Sequence, residues 1–496
     1  MLDAMPEKPY DLLIRGGSVV DGTGSPGVPA DVAVRGDRIA AIGDLAGEPA
    51  LRTIDAAGRI VAPGFIDVHS HDDAAVLTTP MDFKLMQGVT TDIVGNCGAG
   101  IAPHNPERGL VPAISMVLGE IGESEWRSFG EYMSAVERAQ PAINVACLVP
   151  HGVVRYAAIG MDTRTPEPEE LDEMREHVRE GMAAGAVGLS TGLIYPPGRF
   201  AETEEIVECA KESAAQGGLY VSHIRDEGER LMEAVEEAVR IGAEAGLPAQ
   251  ISHHKASGEK NWGRTQDSIS YIEERRATGQ DVTFDVYPYT AASTVLSAFI
   301  AQPEGADPDT VLLASVPGRP ELEGKTLREA AEELDLPVDD ATTAILREAP
   351  GAVAVFFTMD EADVQRVVAH EQSMIGSDGI PTPGGKPHPR LYGTFPRVLQ
   401  KYVREERLLT LEEGVRKMTS FPARRFKLGR RGELREGWAA DIVVFDAAAI
   451  TDVATYDEPR QYPAGIDCVI VNGIVAAENG SQTERHAGTL VRRENS

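Results

Sequence analysis

Residues 60–71 read IVAPGFIDVHSH. The run VAPGFIDV lacks polar alternation and reads as a strand buried on both faces, the kind found in parallel sheets covered by helices. The run closes on His-x-His. In an extended chain residues i and i+2 point to the same side, so His69 and His71 face one point at the strand's C-terminal end.

The same texture recurs in TTDIVGNCG, INVACLVPHG, AVGLSTG, GLYVSHIR, PAQISHHK, VTFDVYPY and SMIGSDG. The eight runs end near positions 70, 97, 151, 191, 224, 254, 287 and 378. Between them lie TPEPEELDEMREHVREGMAAG, ETEEIVECAKESAAQG and DEGERLMEAVEEAVRIGAEAG, helix formers with acidic first turns and a closing Gly. Eight buried strands alternating with helices predict an α/β chain with a (β/α)8 TIM-like barrel, whose chemistry sits at the strand C-termini.

Both ends differ from this middle. DLLIRGGSVVDG, DVAVRGDRIAAIGD and RTIDAAGRIVAPG alternate polar and apolar residues between tight turns, as do GELREGWAADIVVFD and IDCVIVNGIVAAENG near the other end. They predict a small β-sandwich domain built from both termini, residues 1–62 and 426–496, around a barrel of 63–290 and 351–425. About 90 residues separate Tyr287 from Ser377, where one β/α passage needs roughly 30–40. The excess, 291–350, is expected to be an inserted, lid-like subdomain after strand seven, on the active-site face.

At 42% hydrophobic and 25% charged, the 496 residues have the balance of a globular protein. Asp and Glu outnumber Lys and Arg by 78 to 47, a net charge of −31, which argues against nucleic acid as a partner. The four cysteines form no disulfide pattern, no run is long enough to span a membrane, and MLDAMPEKPYDL is no secretory leader. A cytoplasmic protein is expected, with its oligomeric state open.

The chain's eleven histidines are placed unevenly. His223 ends run five and His253 run six, in phase with His69 and His71. Asp378 ends run eight, and Cys97 ends run two among Gly95, Gly98 and Gly100, where packing scarcely requires a thiol. Imidazole, thiolate and carboxylate together suit zinc, which gives hydroxide from water near neutral pH. Asp378 fits a general base that later returns the proton to a leaving group, so the chemistry implied is metal-assisted hydrolysis of an amide or ester.

These motifs, with DLLIRGGSVVDGTG and LREGWAADIVVFD at the flanks, resemble the amidohydrolase superfamily over essentially the whole chain. Many members bridge two metals with a carbamylated lysine on strand four. Here no Lys lies between Lys84 and Lys211. With VGNCG, GLSTGLIYPPG, SHIRDEG, ISHHK and HPRLYGTFPR, the chain resembles instead the D-aminoacylase and N-acyl-D-amino-acid deacylase subgroup, in which a strand-two Cys is a ligand.

The resemblance implies a tight zinc site of Cys97, His223 and His253, and a weaker second site of His69, His71 and Asp378. It implies a small-molecule N-acyl amino acid as substrate, its carboxylate anchored by Lys255 and Tyr287 with Tyr195 in the pocket; Ser293, His388 and Arg390 are further candidates. No Lys or Arg lies between Arg276 and Arg319, so TAASTVLSAF offers only small and apolar groups and predicts a preference for apolar D-residues. Other amidohydrolase activities, a cyclic amidase or a peptidase, and a non-catalytic scaffold are the alternatives; a scaffold would be expected to lose strand-end ligands that this chain keeps.

Overall fold

The computed structural model describes residues 8–109, 111, 126–300, 307–382 and 384–494. Part of the expected insert, 301–306, lies outside the described residues. Among the described residues, an eight-stranded parallel sheet runs in barrel order through Phe65–Asp67, Val89–Val94, Asn144–Pro150, Gly188–Gly192, Leu219–His223, Ala249–Ile251, Val282–Val286 and Ser373–Ile375. A bridge between Ser70 and Gly379, with Asp378 N–H donating to His69 O (2.7 Å), joins the last strand to the first. The strand ends fall within a few residues of those read from the sequence. Ile66, Ile93, Leu148, Val221 and Met374 fill the barrel interior, a packed core rather than a pore.

The helices form where the sequence supplies caps. Pro168–Ala183 begins with Glu167 and Glu170 in a capping box and Pro at its first turn, and Leu231–Ala245 stops at Gly246 in the left-handed conformation.

Around the barrel's flank lies a nine-stranded sheet built from both ends of the chain. Ile60–Pro63 pairs antiparallel with Ile442–Phe445, which joins the N-terminal strands to the C-terminal ones. The opening stretch therefore does two jobs. Ile60–Pro63 belongs to this sheet, and the first barrel strand proper is only Phe65–Asp67. Reading VAPGFIDV as one strand missed the change of partner at Gly64, because both halves are equally buried.

Two expected limits shift. Ala292–Val295, Val311–Ser315 and Val353–Phe356 form a three-stranded antiparallel sheet, so the insert's own sheet runs past residue 350. That sheet carries a separate small core around Leu296, Leu313, Leu327 and Ile345. At the C-terminal end, the strands among the described residues lie within 442–482. The tail beyond returns to the barrel: Val145 N–H donates to Thr489 O (2.9 Å) and Val491 N–H to Val145 O (2.7 Å). No helix among the described residues is long and apolar enough to cross a membrane.

Candidate active site

The strand C-termini bring the expected donors together. Cys97 Sγ lies 3.2 Å from His69 Nε2, 3.6 Å from His253 Nε2 and 3.7 Å from His223 Nδ1. Ligands at zinc–sulfur and zinc–nitrogen distances of about 2.3 and 2.0 Å, spread tetrahedrally, sit about 3.5 Å apart. Asp378 Oδ1 lies 3.2 Å from His71 Nε2 and 3.4 Å from His69 Nε2, again the spacing of shared ligands. The residues thus fit a metal ion on the observation of their own spacing, and the thiol touches the second group through His69.

Local backbone makes the convergence possible. Cys97 (φ +54°), His253 (φ +35°) and Asp378 (φ +50°) all adopt left-handed conformations rare for side-chain-bearing residues. Gly95 precedes the thiol because a Cβ there would lie 2.2 Å from Leu148 O on the third strand. Burial opposes ionisation of the Cys97 thiol, but the charge of His69 and hydrogen bonds from His223, His253 and His69 outweigh it and hold its pKa well below the ordinary value. Burial likewise opposes ionisation of Asp378, and Arg390, His69 and His253 hold it well below the usual carboxylate range.

The remaining expected residues connect to this cluster, directly or through Arg390. Lys255 Nζ and the Arg390 guanidinium both lie over the Tyr287 ring, 5.6 and 4.5 Å from its centre. The Tyr195 ring packs edge-on against His223, and its hydroxyl lies 2.9 Å from Thr294 Oγ1. Ser293 is buried, and its carbonyl accepts a hydrogen bond from Arg390 Nη2 (2.9 Å). His388 is spent on the backbone: its Nδ1 accepts from Arg390 N–H (3.0 Å) and its Nε2 faces Ala291 O at 3.0 Å. It therefore braces the start of the helix Arg390–Arg397, whose first residue is Arg390.

Both cations arrive paired. Lys255 Nζ lies 2.5 Å from Glu227 Oε1, and Arg390 Nη1 lies 2.9 Å from Asp378 Oδ2. Glu227 was not singled out in SHIRDEG, yet its carboxylate also sits 3.0 Å from His253 Nδ1. His223, Glu227 and His253 offer donor atoms within 4.8 Å of one another, but the Lys255 ammonium already lies among them, 2.8 Å from His253 Nδ1.

Sequence reading also missed what holds the first strand's end in place. Lys84, fully buried, bonds to Asp67 and, at 2.8 Å, to Ser377 Oγ, with Asp72 at 3.0 Å. Asp67 Oδ1 in turn accepts the N–H groups of His69 (3.1 Å) and Ser377 (2.8 Å). One buried ion pair thereby fastens the His-x-His strand to the strand carrying Asp378. The signal available was a lone Lys between two apolar runs, which a surface helix would carry equally well.

Comparison with known proteins gives concordant results. The profile of the amidohydrolase family matches residues 52–477. The D-aminoacylase of Alcaligenes xylosoxydans xylosoxydans is 44% identical, with 98% of each chain covered. The N-acyl-D-glutamate deacylase of the same organism is also 44% identical, over 99% of this chain and 98% of the relative. A crystal structure of N-acyl-D-glutamate deacylase from Bordetella bronchiseptica, complexed with zinc and a phosphonate inhibitor that mimics the tetrahedral intermediate, superposes with a TM-score of 0.90. It is 41% identical over 98% of this chain and 100% of that one.

Proposed function

The chain belongs to the amidohydrolase family, and we propose from that premise that it hydrolyses N-acyl-D-amino acids to a carboxylate and a free D-amino acid, with zinc as cofactor. The observation that carries this is one buried thiol, Cys97 Sγ, within 3.7 Å of nitrogens from His69, His223 and His253. In our reading Cys97, His223 and His253 hold the tight ion, and His69, His71 and Asp378 form the weaker position. A zinc ion held there supplies the Lewis acidity that polarises an acyl carbonyl and makes water nucleophilic near neutral pH.

The chain's own groups do the rest. Asp378 is placed to take the proton of the attacking water and deliver it to the leaving nitrogen, so the amine departs neutral. Its Oδ1 faces the histidines and its Oδ2 the Arg390 guanidinium, which keeps it ionised until that proton arrives. Lys255, with the hydroxyl of Tyr287, receives the substrate's α-carboxylate. Burial raises the Tyr287 pKa well above its ordinary value, so that phenol remains a donor. Tyr195 walls the pocket beside His223.

Overall identity does not choose the side chain, since the D-aminoacylase and the glutamate deacylase are equally similar at 44%. The pocket strand Ala292–Val295 carries no cation, and Arg390, whose Nη2 donates to the Ser293 carbonyl on that strand, faces the Asp378 carboxylate at 2.9 Å. We therefore assign a preference for apolar D-residues. Turnover of N-acetyl-D-methionine, N-acetyl-L-methionine and N-acetyl-D-glutamate on zinc-quantified protein tests this. The D-methionine derivative should be fastest; faster turnover of the glutamate derivative contradicts the preference, and faster turnover of the L-form contradicts the stereochemistry.

A further inference from the structure

The seventh barrel strand, Val282–Val286, is buried throughout, yet it carries a carboxylate, Asp285, that is 1% exposed. Side chains alternate along a strand. Phe284 packs against the rings of His254 and His370, while Asp285 turns to the opposite side and reaches the metal-ligating histidines.

Its contacts are specific. Asp285 Oδ1 lies 3.1 Å from His69 Nδ1 and accepts the His253 backbone N–H at 2.8 Å; Oδ2 accepts from Gln250 Nε2 at 2.7 Å. His69 is reached across the eighth strand because residue 376 is Gly, where a Cβ would lie 2.5 Å from His69 Cβ. With Nδ1–H donating to Asp285, the His69 ring turns its Nε2 toward Cys97 and Asp378. The second contact acts on backbone. His253 holds φ +35°, a conformation an L-residue keeps only when its surroundings impose it, and the hydrogen bond from its N–H to Asp285 supplies one such restraint.

We propose that Asp285 is a positioning residue that sets two ligands belonging to different metal positions, the ring of His69 through Oδ1 and the left-handed backbone of His253 through the same oxygen. The inference rests on the zinc-site reading above. It divides the effect of Asp285 into two separable parts, because an amide oxygen can still accept the His253 N–H but offers His69 no charge. Gln250 Oε1 is buried without a hydrogen-bond partner, so the side-chain amide of Gln250 can rotate to meet the NH2 group of an Asn at 285.

The test is binding of zinc by competition with a chromogenic chelator, and the absorption spectrum of the cobalt-substituted protein, for wild type, Asp285→Asn and Asp285→Ala. Asp285→Asn should bind its first equivalent within about 3-fold of wild type and its second roughly 10–100-fold more weakly. Asp285→Ala should weaken both equivalents and alter the cobalt spectrum of the first. If both variants bind both equivalents as wild type does, with unchanged cobalt spectra and only lower melting temperatures, the residue is merely structural and the proposal fails. Equal weakening of the first equivalent by Asn and Ala overturns the backbone part. Wild type in the same titration reports on the metal centre itself, so indifference of the variants overturns the role of Asp285 and leaves that centre standing.

Discussion

Arg390 Nη1 sits 2.9 Å from Asp378 Oδ2, while Asp378 Oδ1 faces His71 Nε2 at 3.2 Å. The carboxylate proposed to move the proton is thus held from both sides, by the Arg390 guanidinium and by the His71 imidazole. Arg390 helps keep the Asp378 pKa well below the ordinary carboxylate value. Removing the cation raises that pKa, so a larger fraction is protonated and inactive as a base at a given acidic pH. Arg390→Met should therefore move the acid limb of the kcat–pH profile upward and lower kcat about 100-fold through misplacement of the carboxylate. An unmoved acid limb contradicts the pairing.

On the proposed assignment, substitutions at Cys97 and at Asp378 should separate metal binding from turnover. Cys97→Ala removes the donor common to three histidines and should leave less than about 0.1 equivalent of tightly held zinc. Asp378→Ala should retain about one zinc and lose roughly 1000-fold or more in kcat. Metal analysis and steady-state kinetics on the same preparations check both.

Lys84 illustrates a buried charge that cannot be removed cheaply. Its ammonium serves Asp67, Asp72 and Ser377 with no solvent access. Lys84→Met leaves the carboxylates uncompensated and should cost about 3–5 kcal/mol. Urea titration gives the loss; a change under 1 kcal/mol would show that the pair carries little.

Lys417 gives a pH signature of stability away from the site. Burial lowers its pKa from 10.5 to about 8, only partly opposed by Glu413 at 3.6 Å. Between those values the unfolded chain binds the proton and the folded one does not, so this group's contribution to stability rises as pH climbs from 8 to 10.5. The rise amounts to about 3 kcal/mol. Lys417→Met should lack it, which the pH dependence of the urea midpoint in wild type and variant will reveal.

The sequence made the convergence of these donors legible because a barrel brings every strand end to one mouth, so residues far apart in the chain needed only a strand end each. Glu227, Asp285 and Lys84 escaped for a different reason. Each acts through a contact whose partner lies elsewhere in the fold, His253 and Lys255 for Glu227, His69 for Asp285, Ser377 for Lys84. Nothing in the local pattern marks one carboxylate among 78 acidic residues. Asp285 left the clearest trace, a charge inside VTFDV where a strand buried on both faces should have none. Arg390 was read by its residue type as a substrate contact, and only geometry reveals its pairing with Asp378. The division of IVAPGFIDVHSH between two sheets was equally hidden, since burial is uniform on both sides of Gly64.

Dependence of N-acyl-D-amino-acid hydrolysis on zinc held at Cys97, His223 and His253 is read by adding zinc stepwise to metal-free protein and following release of free D-methionine from N-acetyl-D-methionine. Turnover should be absent without metal and reach its full value at about one equivalent per chain, in keeping with a single three-ligand catalytic site. Equal turnover before and after zinc addition, or no release at one equivalent, would contradict it.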